Sequence, residues 1–180
     1  MGLRSRSKLP RGGGVFFVTT SFNNRKIILR NEKYYGIIIT SLEHVKAKYG
    51  FELWAYVLMP SHLHLILAFP QENKLSAAMR DFKKFTAYKL RKLLESEGYV
   101  EVLEELRNPD GRTSQFQIWE PRFDDVVIFT PRVLKRKLDY IHVNPVRAGL
   151  CAQPCDWPYS SARDYAGESS LLSFDRFSFG

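Results

Sequence analysis

Between Val57 and Leu67 the chain reads Val-Leu-Met-Pro-Ser-His-Leu-His-Leu-Ile-Leu, and no other stretch limits the fold as much. Pro60-Ser61 is a turn signal between two runs of β-forming residues. Phe51–Met59 and His62–Phe69 are therefore expected as the strands of a hairpin. Strand side chains alternate between faces, so His62 and His64 share one face while Leu63 turns to the other. Two imidazoles side by side on a rigid strand can supply two ligands to one metal ion. A pair of partly buried histidines without a metal fits the same spacing. The chain has 4 histidines in all, and two of them fall here, which favours a site.

Around the hairpin the periodicity changes in an order that narrows the fold further. Val15 to Phe22 is rich in β-branched and aromatic residues and is expected as a strand. Asn31 is a helix cap, after which Tyr35, Ile38, Ile39, Leu42, Val45 and Tyr49 recur at helical spacing as far as Gly50. Ser76–Gly98 is a second helix with Met79, Phe82, Leu90, Leu93 and Leu94 toward a core. A turn is expected at Asn108-Pro109-Asp110-Gly111, and a short strand at Asp124–Phe129. Thr130-Pro131 starts a third helix, a capping hydroxyl followed by proline. Asn144 precedes Pro145, which disfavours helix at that position, so this helix is expected to end near Val143.

The order strand, helix, strand, strand, helix, strand predicts an α+β fold. It is the ferredoxin-like pattern, an antiparallel sheet covered by helices, with a further helix appended toward the C-terminus. A chain of 180 residues suits one such domain. We place it at 15–165, between a basic arm at 1–14 and a tail at 166–180.

The net charge of +8 is unevenly spread. Arg4, Arg6, Lys8, Arg11, Arg25, Lys26 and Arg30 all precede the first acidic residue, Glu32, while acids gather between Glu95 and Asp125. Concentrated positive charge is the footprint of a polyanionic partner, although a basic protein with no such partner carries the same charge. No apolar run approaches membrane-spanning length, and the first residues lack the apolar core of a secretory signal. Cys151 and Cys155 are too few for a disulfide framework and read as reduced thiols. A cytoplasmic protein with no membrane partner is expected.

The third helix carries Asp139-Tyr140-Ile141-His142-Val143-Asn144. Tyr140 and Asn144 lie one turn apart on one face, and His142 points roughly the other way. A tyrosine on an amphipathic helix is ordinarily core or surface, and spacing alone does not aim this one at the histidines. The motifs together say more. His62-Leu63-His64 is similar to the histidine–hydrophobic–histidine signature of the HUH endonucleases. Leu58–His64 taken with Asp139–Gly149 resembles the REP-associated tyrosine transposases, solitary single-tyrosine relatives of the insertion-sequence transposases. Phe16–Thr19, Lys83-Lys84-Phe85, Trp119–Phe123 and Asp156–Ser161 follow in that family's order, so the resemblance covers about residues 8–165.

The resemblance implies a metal-dependent enzyme that cleaves single-stranded DNA and transfers strands through a covalent 5′-phosphotyrosine, at hairpin-containing repeat DNA. It assigns His62, His64 and Asn144 to the metal and Tyr140 to the nucleophile. Two imidazoles and an amide oxygen suit Mn²⁺ or Mg²⁺. Arg4, Arg6, Lys8 and Arg11 of the arm, with Lys83 and Lys84 of the second helix, are the candidate phosphate contacts. Trp119 and Trp157 are candidates for stacking on unpaired bases or for filling the core. The acidic segment is longer than the connection the family leads one to expect. Two other readings share these features, a catalytically idle DNA-binding regulator and a relaxase or replication-initiator nickase. Monomer and homodimer are both open.

Overall fold

The computed structural model describes residues 12–72, 74–108, 115–172 and 175. The arm bearing Arg4, Arg6, Lys8 and Arg11 lies outside the described residues, as do residues 109–111 of the expected turn. Four strands form one antiparallel sheet: β1 (Gly12–Ser21), β2 (Glu52–Met59), β3 (His62–Glu72) and β4 (Asp124–Val127). Their order across the sheet is β2-β3-β1-β4. This is the expected ferredoxin-like α+β arrangement. Gly13 is required where it stands: a Cβ there would lie 2.2 Å from the Phe69 carbonyl oxygen.

Alternation sorts the strand residues into two cores. On one face β1 buries Phe16 and Val18, β2 buries Leu53, Tyr56 and Leu58, and β3 buries Leu63, Leu65 and Leu67. Two helices cover this face, α1 (Glu32–Tyr49) and α2 (Leu75–Ser96), and a short helix, α3 (Val100–Glu105), follows them. The Asn31 side chain caps α1 by accepting the Lys33 N–H, and Gly50 ends it at φ 65°. Each fully buried leucine of this core contributes roughly 1.5–3 kcal/mol through apolar surface removed from water.

The opposite face holds Phe17, Trp54, Ala55, Val57, Met59, Ile66 and Ala68, covered by α4 (Pro131–Arg147) through Leu134, Leu138 and Ile141. Thr130 caps α4 as expected, its hydroxyl accepting the Val133 N–H at 3.3 Å. The helix does not stop at Val143 but runs to Arg147 with Pro145 inside it. Pro145 and Ile141 are buried, and the removal of their apolar surface from water outweighs the steric preference of the residue before proline. The continuation keeps Asn144 helical, one turn beyond Tyr140.

Several of the acids between 95 and 125 are used within the fold. Glu97 accepts the Tyr34 hydroxyl at 2.9 Å and pairs with Lys33 at 3.1 Å, which draws its pKa down from the usual carboxylate value. Glu105, at the end of α3, pairs with Lys26. Glu120 Oε1 accepts the Asn24 N–H at 2.8 Å. Of the expected tail beyond residue 165, the described residues Leu172 and Asp175 lie against the sheet. Leu172 is buried, and the Leu53 N–H donates to Asp175. With Ser160 bridged to Val57, these residues cover the outer edge of β2.

Candidate active site

The site begins with the β1–β3 register. Thr19 stands opposite His64 and Ser21 opposite His62. His64 is buried at 4% exposure, and its Nδ1 is hydrogen-bonded to Thr19 Oγ1 at 2.8 Å. His62 Nδ1 is hydrogen-bonded to Ser61 Oγ at 3.0 Å. In the tautomer in which each Nδ1 carries the proton and donates to its hydroxyl, the lone pairs fall on the Nε2 atoms. His64 Nε2 is buried and has no hydrogen-bond partner. The two rings are 4.9 Å apart, nearly perpendicular.

Both imidazoles are neutral at pH 7. Burial draws His62 down to about 4, with the charge of Arg25 adding to the effect. Burial likewise draws His64 down to about 3, helped by His62, Arg25 and Lys137. Neutral imidazoles with free Nε2 lone pairs are the form that binds a metal. An orphaned buried nitrogen is costly without a partner and is resolved by one. Among the described residues no cluster of three or more His, Cys, Asp or Glu stands ready for a metal. Asn144, the residue expected as a further ligand, lies one helical turn beyond Tyr140. Asn144 is half-buried on α4.

Tyr140 is brought to the same place. Its ring lies 5.1 Å from that of His64 and 5.9 Å from that of Phe17, edge-on to both. Phe17 in turn stacks on His64 at 5.5 Å. At 38% exposure the tyrosine is reachable from solvent. His142, two residues on, faces away. Its Nε2 is hydrogen-bonded to Ser161 Oγ at 2.9 Å and its ring packs on Tyr165.

Three residues at this site escape sequence reasoning. Thr19 could be found only from the strand register. Lys137 lies one turn before Tyr140, a spacing that the helix period alone exposes. Arg25 reaches the site through the loop before α1. There the Phe22 N–H donates to the Ser61 carbonyl, and those of Ile28 and Leu29 to the Pro60 carbonyl. Asn24 and Arg25 are both left-handed, at φ 51° and 54°, a strained backbone for residues other than glycine.

The candidate DNA contacts separate. Lys83 Nζ donates to the Glu120 carbonyl and lies 3.3 Å from those of Pro121 and Arg122, tying α2 to the 115–123 segment. Lys84 is exposed and, with Tyr88 and Arg91, lines a groove of about 540 Å³ between α2 and residues 115–121. Trp119 belongs to the core. It stacks on Phe22 at 4.1 Å and donates from Nε1 to Thr86 at 3.0 Å. Trp157 is half-buried and donates to the Leu58 carbonyl at 3.1 Å.

Residues 16–101 match the family described as Transposase IS200 like. A REP-associated tyrosine transposase of Escherichia coli (strain K12) is 29% identical over 150 residues, covering 83% of this chain and 76% of the relative. A solved structure of a REP-associated tyrosine transposase bound to a REP hairpin superposes with a TM-score of 0.69 at 26% identity. That match covers 99% of this chain and 95% of the other. No helix of the described residues is long and apolar enough to cross a membrane.

Proposed function

From this similarity to REP-associated tyrosine transposases, we propose that the chain is a transposase of that type, which cleaves and rejoins single-stranded DNA through a covalent bond to Tyr140, at sites beside hairpins. The observation that carries this reading is the meeting of Tyr140 with His64, whose ring in turn lies beside that of His62, within one chain. The Tyr140 and His64 rings are 5.1 Å apart, beside a buried nitrogen without a partner. A hairpin-bound relative of the same fold supports the choice of substrate.

The steps follow from what these groups can do. A phosphodiester is anionic and repels nucleophiles. His62, His64 and Asn144 would hold a divalent metal, Mg²⁺ or Mn²⁺, which when bound would supply charge neutralisation and orientation of the scissile phosphate. Thr19 and Ser61 hold the two imidazoles in the tautomer that leaves Nε2 open. The Tyr140 oxygen forms a bond to phosphorus as the bond to the 3′ oxygen breaks. The phenol proton passes to solvent, and the departing oxygen takes one up as a 3′-hydroxyl. The phosphotyrosine retains the bond energy, so the 3′-hydroxyl of another strand can reverse the step without ATP.

Incubation with Mn²⁺ and single-stranded oligonucleotides that carry a hairpin beside a randomised unpaired segment tests the reading. A detergent-stable protein–DNA adduct mapping to Tyr140 is expected. A regulator without catalysis would bind the DNA and give no adduct.

A further inference from the structure

We propose that Lys137 is a further catalytic residue, its ammonium contacting the non-bridging oxygens of the phosphate that Tyr140 attacks. The proposal rests on the reading of Tyr140 as nucleophile.

The three consecutive cations of α4 differ in placement. Lys135 and Arg136 are exposed, and Lys135 is paired with Asp139 one turn along at 3.1 Å. Lys137 is half-buried and turned inward. Its Nζ sits 4.1 Å above the Phe17 ring and 5.9 Å from the centre of the Tyr140 ring. Phe17 stacks on His64, so ammonium, histidine and tyrosine share one aromatic platform. No ion pair joins Lys137 to a carboxylate among the described residues. An aromatic face attracts a cation but accepts no conventional hydrogen bond, so the three N–H donors remain for a ligand. The group that arrives at this place in the reaction is a phosphate.

Burial, with Arg136 nearby, draws the lysine pKa down from its usual value, as expected for an ammonium that has lost part of its water. A cation in such a place acts where charge develops. As the tyrosine oxygen bonds to phosphorus and the 3′ oxygen leaves, negative charge gathers on the phosphoryl oxygens, and a positioned Lys or Arg stabilises it. Lys137 keeps its protons throughout.

The experiment measures the initial rate of adduct formation with Mn²⁺ and a fluorescent library of single-stranded oligonucleotides, each with a hairpin beside a randomised unpaired segment, over a range of DNA concentrations. Lys137→Met keeps the apolar stem over Phe17 and removes the charge. It is expected to lower the saturating rate about 100-fold while the half-saturating DNA concentration moves less than about 3-fold. Lys137→Arg should restore the rate to within about 10-fold of the unmodified protein. Lys135→Gln, which removes a charge from the exposed side of the same helix, should leave the rate unchanged. A Met variant as fast as the unmodified protein overturns the proposal, as does an Arg variant as slow as Met. Failure of the unmodified protein to form any adduct is a different result, because it overturns the nucleophile assignment itself and the proposal with it.

Discussion

On the α1–α2 face of the sheet, β3 presents Leu63, Leu65 and Leu67, each at most 1% exposed among aliphatic and aromatic neighbours. On the α4 face the same strand presents His62 and His64, ringed by Phe17, Thr19, Tyr140, Arg25 and Lys137. One face gains stability from every side chain it buries. The other buries an imidazole nitrogen with no partner, holds a cation against two rings and strains two residues of a loop. Groups poised this way lower the stability of the free protein and reward a ligand that satisfies them. The leucine face thereby supports the histidine face, because a strand anchored on one side cannot slip register on the other.

The largest effect expected is at the edge of the histidine face. Tyr140→Phe should lower adduct formation by roughly 10⁴-fold or more while DNA affinity stays within a few-fold, since only a hydroxyl is lost. An adduct retained by the Phe variant would break the assignment. His62→Ala and His64→Ala should each remove the heat of Mn²⁺ binding in titration calorimetry, and unchanged affinity in both would make the pair structural.

Leu65→Ala probes the other face. It should cost roughly 2–5 kcal/mol in urea unfolding, the usual result of a cavity in a packed core. The surviving folded fraction should still bind Mn²⁺. A Leu65→Ala protein of full stability would mean that the leucine face is not the support described.

Thr19→Val distinguishes the two faces more finely, by changing one atom beneath His64. Losing the hydroxyl frees the imidazole to rotate or change tautomer, and metal affinity should fall about 10–100-fold with little change in the unfolding midpoint. The smallest effect expected is on α2. Lys84→Ala should flatten the log–log salt dependence of single-strand binding by about 0.7, the value for one neutralised phosphate. A slope that does not move would show that Lys84 is a solvated surface charge.

Much of the fold and of the site is legible in the sequence. The hairpin at Pro60-Ser61, the facing of His62 and His64, the caps at Asn31 and Thr130 and the placement of Tyr140 with Asn144 on one helix side are local properties. Each depends on a period of two or about 3.6 residues, or on one side chain bonding the backbone beside it. The strand order follows from the sequence of elements, because few connections are compatible with βαββαβ. The end of α4 departs from its sequence expectation for an equally physical reason. The preference before proline is local, whereas the burial of Ile141 and Pro145 that overrides it is not.

The sequence by itself therefore determined which residues share a face within each element, and with them the pair of histidines and the tyrosine. Only the tertiary structure decided that those faces meet. Thr19 reaches His64 across a distance of 45 positions in the chain, and Lys137 reaches Phe17 from a helix laid on the opposite core from α1 and α2. Such meetings depend on strand register and on which side of the sheet a helix packs. Both are settled by burying the whole set of apolar side chains at once, and no local pattern encodes that sum.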